Sequence, residues 1–122
     1  MAERTVFVVD DSRVARMMVR AIIEDHHPGW QVIEAASGEE AVTAAAAHRP
    51  DFIILDVNMP GIGGLVAARQ LLTLHPGVAI AMLTANIQDA IRQQADDLGV
   101  AFLTKPVRPD NLLAFLVNEA GE

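Results

Sequence analysis

The sequence predicts an α/β domain, a doubly wound parallel sheet of five strands with helices on both faces. Two observations carry this prediction. Five short, apolar, β-branched segments alternate strictly with five longer helical ones. Three of the five, Val6-Phe7-Val8-Val9, Phe52-Ile53-Ile54-Leu55 and Val78-Ala79-Ile80-Ala81-Met82-Leu83, are apolar at every position, as strands are when helices cover both of their faces. The 122 residues are one domain's worth, and 52% hydrophobic against 20% charged marks a globular chain rather than a disordered one.

The elements follow in order. The first strand, residues 5–9, runs into Asp10-Asp11, and a helix follows over about residues 12–26, with Val14, Met18, Ala21 and Ile22 as its apolar stripe. His26-His27 before Pro28-Gly29 reads as a solvated helix end rather than a metal site, and Trp30 anchors the turn. In the second strand, 31–35, the charge of Glu34 marks an edge position. The second helix begins at Ser37 or Gly38 with Glu39 and Glu40 in its first turn, and Ala44 to Ala47 suit close packing on the sheet. A third strand, 52–55, and a third helix, about 65–75, end before Pro76-Gly77, with His48 and His75 near helix ends. The fourth strand is 78–83, and its helix carries Ile87, Ile91, Ala95 and Leu98 on one side and stops at Gly99. After the fifth strand, 100–104, the last helix opens at Pro109. Its run Leu112-Leu113-Ala114-Phe115-Leu116-Val117 exceeds what one helix face buries, so the excess is expected to mark a homodimer or partner contact.

Charge excludes several functions. Nine Lys+Arg against 16 Asp+Glu give a net charge of −7, so there is no basic footprint for direct nucleic-acid binding or for an anionic membrane surface. The absence of cysteine removes disulfides and thiolate metal sites. No apolar run approaches the about 18 residues of a membrane span. The stretch after Met1-Ala2-Glu3-Arg4 is cut at Asp10-Asp11, too early for a signal peptide, so a cytoplasmic location is expected.

In open α/β sheets, sites form at the carboxyl ends of the strands. Here those ends carry Asp10-Asp11-Ser12, then Asp56-Val57-Asn58, then Thr84, then Thr104-Lys105-Pro106. Each alone has a bland reading: Asp and Ser cap helices, Asp56 forms a turn, Thr84 caps, and Lys105 sits in a loop. Together they fit poorly with that, because two adjacent acids facing a third repel one another unless a cation intervenes. An oxygen-only cluster suits Mg²⁺, and a lysine and a hydroxyl aimed at the same point suit phosphoryl oxygens. The joint reading is an aspartate that accepts a phosphoryl group with the help of a metal.

The sequence resembles the receiver domain of two-component response regulators, close in plan to the single-domain chemotaxis regulators. Four motifs carry the resemblance, in order and at the strand ends: Val8-Val9-Asp10-Asp11-Ser12, Leu55-Asp56-Val57-Asn58-Met59-Pro60-Gly61, Leu83-Thr84-Ala85 and Leu103-Thr104-Lys105-Pro106. It spans Thr5 to about Asn118. The resemblance implies a flavodoxin-like (βα)5 fold with strand order 2-1-3-4-5. Residues 1–122 are accordingly expected to be one receiver domain with no output domain, either a stand-alone regulator or part of a longer chain.

The resemblance also implies the chemistry. Asp56 is the phosphoacceptor, served by a sensor histidine kinase or a histidine phosphotransfer protein. Asp10, Asp11, Asp56 and the backbone carbonyl of Asn58 hold Mg²⁺, with Mn²⁺ as a substitute. Lys105 neutralises phosphoryl charge, and its peptide bond to Pro106 is cis. Thr84 is the switch hydroxyl, and Phe102, where relatives often have tyrosine, swings by packing alone. The domain is not an enzyme beyond its own aspartyl phosphorylation and dephosphorylation. A downstream protein binds the face of the fourth helix, fifth strand and fifth helix. Asn58 and Asn86 occupy positions that tune phosphoryl lifetime. One departure stands out: Gly61-Ile62-Gly63-Gly64 lacks the acidic residue usual before a glycine, which predicts a looser loop.

Other readings fit less well. A haloacid dehalogenase-like phosphatase needs Asp-x-Asp after the first strand, and position 12 is Ser12. A flavodoxin-like cofactor binder needs a hydroxyl- or glycine-rich phosphate loop where Asp10-Asp11 stand. A degenerate receiver that binds partners constitutively remains the main alternative, disfavoured because every charged site residue is present.

Overall fold

In the computed structural model, which describes residues 3–59, 61–85 and 89–120, strands and helices alternate along the chain. They are β1 (Thr5–Val9), α1 (Arg13–His26), β2 (Gln31–Ala35), α2 (Gly38–Ala47), β3 (Phe52–Asp56), α3 (Gly63–Leu74), β4 (Ala79–Thr84), α4 (Asp89–Leu98), β5 (Ala101–Thr104) and α5 (Pro109–Ala120). Every strand pairing is parallel and the order is β2-β1-β3-β4-β5, with β2 at one edge, as expected. Only the ends differ: β3 and β4 each run one residue further, to Asp56 and Thr84, and β4 and β5 each start one residue later.

The all-apolar strands are explained by two cores, one on each face of the sheet. Phe7, Val9, Ile53, Leu55 and Met82 face α2, α3 and α4, meeting Ala41, Ala45, Ala67, Ala68, Leu71 and Ala95. Their neighbours Val6, Val8, Ile54, Ala81 and Leu83 face α1 and α5, meeting Val19, Ile23, Leu112, Phe115 and Leu116. This is the two-residue alternation of a strand, with both of its faces buried. Trp30 stacks on His27 and on Phe52, closing the second core beside the α1–β2 turn.

Two expectations about helix faces need correction. On α1 the residues turned inward are Val19 and Ile23, with Ile22 of the expected stripe half-buried against the same core, whereas Val14 and Met18 are 66% and 54% exposed and Ala21 is exposed as well. Helix α1 meets the sheet one position further round than the apolar pattern implied, with Val19 and Ile23 a turn apart on its inner face. On α5, Leu112, Phe115 and Leu116 are buried and Leu113 and Val117 half-buried, so among the large apolar side chains of its run none is exposed. Among the described residues the exposed large apolar side chains are Val14, Met17 and Met18 on α1 and Val66 and Leu74 on α3. On α4, Ala95 is buried and Leu98 half-buried, while Ile87 lies outside the described residues, as does the side chain of Ile91.

Capping sets where the helices start. The Ser12 hydroxyl accepts from the Ala15 N–H at 3.2 Å, and that of Ser37 accepts from the Glu40 N–H at 3.1 Å. Helix α3 starts differently, with no side-chain cap, and depends on Gly64. A Cβ there would lie 2.5 Å from the Asp56 carbonyl oxygen and 2.8 Å from the Val57 Cα, so only glycine lets α3 press against the backbone of β3's last residue. The glycines after Met59 thus allow close approach, which a loop read only as loose did not anticipate. Gly64→Ala is expected to destabilise the fold by about 1–3 kcal/mol, the usual range for overpacking, measured by urea denaturation; a change within error would mean that α3 can shift freely from β3.

Candidate functional site

Register brings the site together. Val9 pairs with Leu55, so the next residues, Asp10 and Asp56, leave adjacent strands side by side. Asp56 pairs with Leu83 and Thr84 with Thr104, so Thr84 and Lys105 extend the same edge. Backbone hydrogen bonds continue past the strands: Val57 N–H donates to Leu83 at 3.0 Å, Lys105 N–H to Thr84 at 2.9 Å and Asp10 N–H to Ala35 at 3.1 Å. Each functional side chain is therefore carried by a strand end or by the residue after it.

The carboxylates are fixed by their own turns. Asp10 Oδ1 accepts from the Ser12 N–H at 2.9 Å, and Asp56 Oδ1 from the Asn58 N–H at 3.2 Å. Asp10 and Asp56 are only 2% and 3% exposed, Thr84 is equally buried, and Asp11 is exposed. The Lys105 ammonium lies 3.2 Å from Asp56 Oδ1 and 3.4 Å from Asp10 Oδ2. The Lys105–Pro106 peptide is cis. Phe102 is half-buried, packs against the core under α2, α3 and α4, and sits two residues before Thr104 on β5. Asn58 is exposed, and Asn86 lies outside the described residues.

These placements shift the protonation equilibria. Burial pushes the Asp56 carboxyl above its ordinary range, and the charge of Asp10 adds to this; the Lys105 ammonium and the Asn58 N–H oppose it without cancelling it. Burial works against the charged form of Lys105 too, but the bond to Asp56 and the charges of both aspartates more than offset it, so its pKa rises. One ammonium therefore serves two carboxylates and fully satisfies neither.

The donor set fits a hard divalent cation. Asp10, Asp11 and Asp56 each offer an oxygen, and these oxygens lie within 4.8 Å of one another, close to the about 4 Å across an Mg²⁺ coordination shell. Asp10 Oδ2 is buried without a hydrogen bond of acceptable geometry, the ammonium at 3.4 Å being a neighbouring charge only. A buried acceptor of this kind calls for a partner, and a cation held by the three carboxylates would supply one.

Arg16 went unnoticed in the sequence. Its guanidinium donates to the Asp10 carbonyl at 2.6 Å and to Glu34 Oε1 at 2.9 Å, while Arg20 donates to Glu34 Oε2 at 2.9 Å. The bond from Arg20, then that from Arg16, holds the Glu34 carboxyl below its ordinary range. The strand register explains the contact: Glu34 pairs with Val8, two residues before Asp10, and Arg16 follows Asp10 by six residues on α1.

Comparison with known proteins agrees with the fold. Residues 6–117 match the family model of the response regulator receiver domain, and the chain belongs to that family, the receiver domains of two-component signalling systems. It is similar to a chemotaxis regulator of known structure, CheY4 of Vibrio cholerae, at 34% identity and a TM-score of 0.86 over 96% of this chain and 98% of that one. The cyclic di-GMP phosphodiesterase response regulator RpfG of Xanthomonas campestris pv. campestris is 39% identical over 112 residues, 89% of this chain and 30% of that protein. The response regulator GacA of Pseudomonas viridiflava is 38% identical over 102 residues, 82% of this chain and 47% of that protein. The chain spans half or less of the length of the first curated relatives it matches. Among the described residues no helix is long and apolar enough to cross a membrane.

The raised Asp56 pKa has a thermodynamic consequence. Its contribution to stability is present in full below the ordinary value of 3.8 and is lost as pH rises through the raised value. In chelator at neutral pH, Asp56→Asn is expected to melt at a higher temperature than the wild type. The gap should close as pH falls towards 3.8, and millimolar Mg²⁺ should narrow it by stabilising the wild type. A variant that melts lower under all conditions would show that the Lys105 contact outweighs the repulsion.

Proposed function

We propose that this receiver domain accepts a phosphoryl group on Asp56 from a phosphohistidine of a sensor histidine kinase or histidine phosphotransfer protein, and that the modified site alters a partner-binding face. The observation that carries the reading is a buried carboxylate beside a second one, with an ammonium within 3.4 Å of both. Such a group stays more basic than an exposed aspartate and already has next to it the positive charge that an arriving phosphoryl group needs.

In the proposed reaction an Asp56 oxygen attacks phosphorus in line, the P–N bond opens and its electron pair returns to the imidazole nitrogen. When bound by Asp10, Asp11, Asp56 and the Asn58 carbonyl, Mg²⁺ supplies neutralising charge at the phosphoryl oxygens. Lys105 leaves its contact with the carboxylate for a phosphoryl oxygen, and the Thr84 hydroxyl donates to another. Arg16, through the Asp10 carbonyl, holds the first acidic turn in position. Movement of Thr84 frees space for Phe102, which has no hydroxyl to place and so responds through packing alone. A downstream protein then reads α4, β5 and α5. The domain catalyses its own modification and its reversal and turns over no other substrate.

The donor's approach is marked by α1. A cleft of about 420 Å³ beside Asp10 and Lys105 is walled by Ala15, Met18, Val19, Pro106 and Val107. Val14 and Met17, with Met18, extend that apolar surface outward. A protein that brings phosphohistidine to Asp56 covers this surface.

Intact-mass measurement after incubation with acetyl phosphate tests the acceptor. One phosphate is expected to be gained, only with Mg²⁺, and not by Asp56→Asn; failure with both acetyl phosphate and purified kinases would leave a constitutive binding module. The α1 surface has its own test, the uncharged pair Val14→Gln and Met18→Gln. The Michaelis constant for a phosphorylated protein donor should rise about tenfold, as loss of one or two buried apolar side chains implies, with the acetyl phosphate rate unchanged. Equal losses with both donors would place these residues in the chemistry rather than in docking.

A further inference from the structure

At the opposite edge of the sheet, where β1, β3 and β4 begin, lies a cavity of about 200 Å³ lined by Arg4, Arg49, Asp51, Phe52, His75 and Val78, among others. The receiver chemistry does not use it. Five residue steps along β3 separate Asp51 from Asp56, about 16 Å at the rise of a strand.

Its arginines are paired unlike Arg16 and Arg20 of α1. Arg16 and Arg20 each have a carboxylate oxygen at 2.9 Å. Arg4 reaches Asp51 Oδ1 only at 4.0 Å, and its Nε is buried with no hydrogen-bond acceptor. The second oxygen of Asp51 is spent on the Thr5 N–H at 2.8 Å. Arg49 is exposed and makes no ion pair among the described residues. The imidazole of His75 adds a further wall, its Nε2 facing the Ala45 carbonyl at 2.8 Å, where it must donate. Two guanidinium groups thus stand against one carboxylate, in a chain whose net charge is −7.

We infer that this cavity binds a phosphate dianion, either inorganic phosphate or the terminal group of a small phosphomonoester. A water molecule would satisfy the buried Nε–H of Arg4 but would leave the excess positive charge. A carboxylate has two oxygens, the complement of one guanidinium fork, whereas the three terminal oxygens of a phosphate serve two forks at once. The cavity is smaller than the roughly 300–1,000 Å³ of cofactor-sized pockets, so a monoester places its phosphate inside and the rest in solvent.

The test uses the full chain as Asp56→Asn in chelator, which removes acceptor chemistry, titrated with inorganic phosphate and followed by backbone amide shifts. Saturable shifts are expected at Arg4, Asp51 and Gly77 to Ala79, weakened about tenfold by Arg49→Gln, as loss of a charge-assisted contact implies, and unaffected by Arg92→Gln. Arg49 is exposed, so its replacement leaves the fold intact. Glycerol phosphate in place of phosphate separates the sources: equal affinity assigns the free ion or any monoester, tighter binding a phosphorylated metabolite. Shifts that do not saturate, that persist undiminished in Arg49→Gln, or that gather at Asp10 and Lys105 instead, overturn the inference.

Discussion

The structure turns on the confinement of two carboxylates at one sheet edge. Parallel pairing in register leaves Asp10 and Asp56 on adjacent strands with no room to separate, and both are buried. Left alone this arrangement is unfavourable. Lys105, brought in by the last strand, offsets part of it, and the oxygen of Asp10 that no hydrogen bond reaches shows what is left over. The site therefore holds unrelieved negative charge in a rigid frame. That is a condition under which binding of a cation lowers the energy of the whole domain.

Much of the molecule serves that frame. The two cores clamp the sheet from both faces, and α3 is drawn against the backbone of Asp56 at Gly64, where no side chain fits. On the far side, Arg16 and Arg20 tie α1 to Glu34 on the edge strand, so the first acidic turn is held from its own carbonyl outward. The edge strand is thereby covered by paired charge, one of the ways in which sheets avoid pairing with other chains.

Most of the fold was legible because strands buried on both faces leave an unmistakable signature: Val6 to Val9 and Phe52 to Leu55 could hardly be anything else. The convergence of Asp10, Asp56 and Thr84 was legible for a related reason, since each follows such a run, and Lys105 follows the fifth strand segment. What escaped depended on rotation and on partners far apart in sequence. The apolar residues of α1 allow two faces, and only the sheet's contact picks Val19 and Ile23 over Val14 and Met18. Six apolar residues in α5 looked excessive until the second core took in Leu112, Phe115 and Leu116, with Leu113 packed against it and the Phe115 ring edge-on to Phe52. Arg16 and Gly64 could be read only with the strand register in hand, because what each touches lies on another element.

The hydrogen bonds that run on past the strand ends, from Val57 to Leu83 and from Lys105 to Thr84, join backbone to backbone. Side-chain identity has no part in them. Sequence drift in the strands can thus exchange one apolar residue for another over long lineages without moving the reacting atoms. The geometry is inherited through the main chain, and selection at the site has only a handful of side chains to keep.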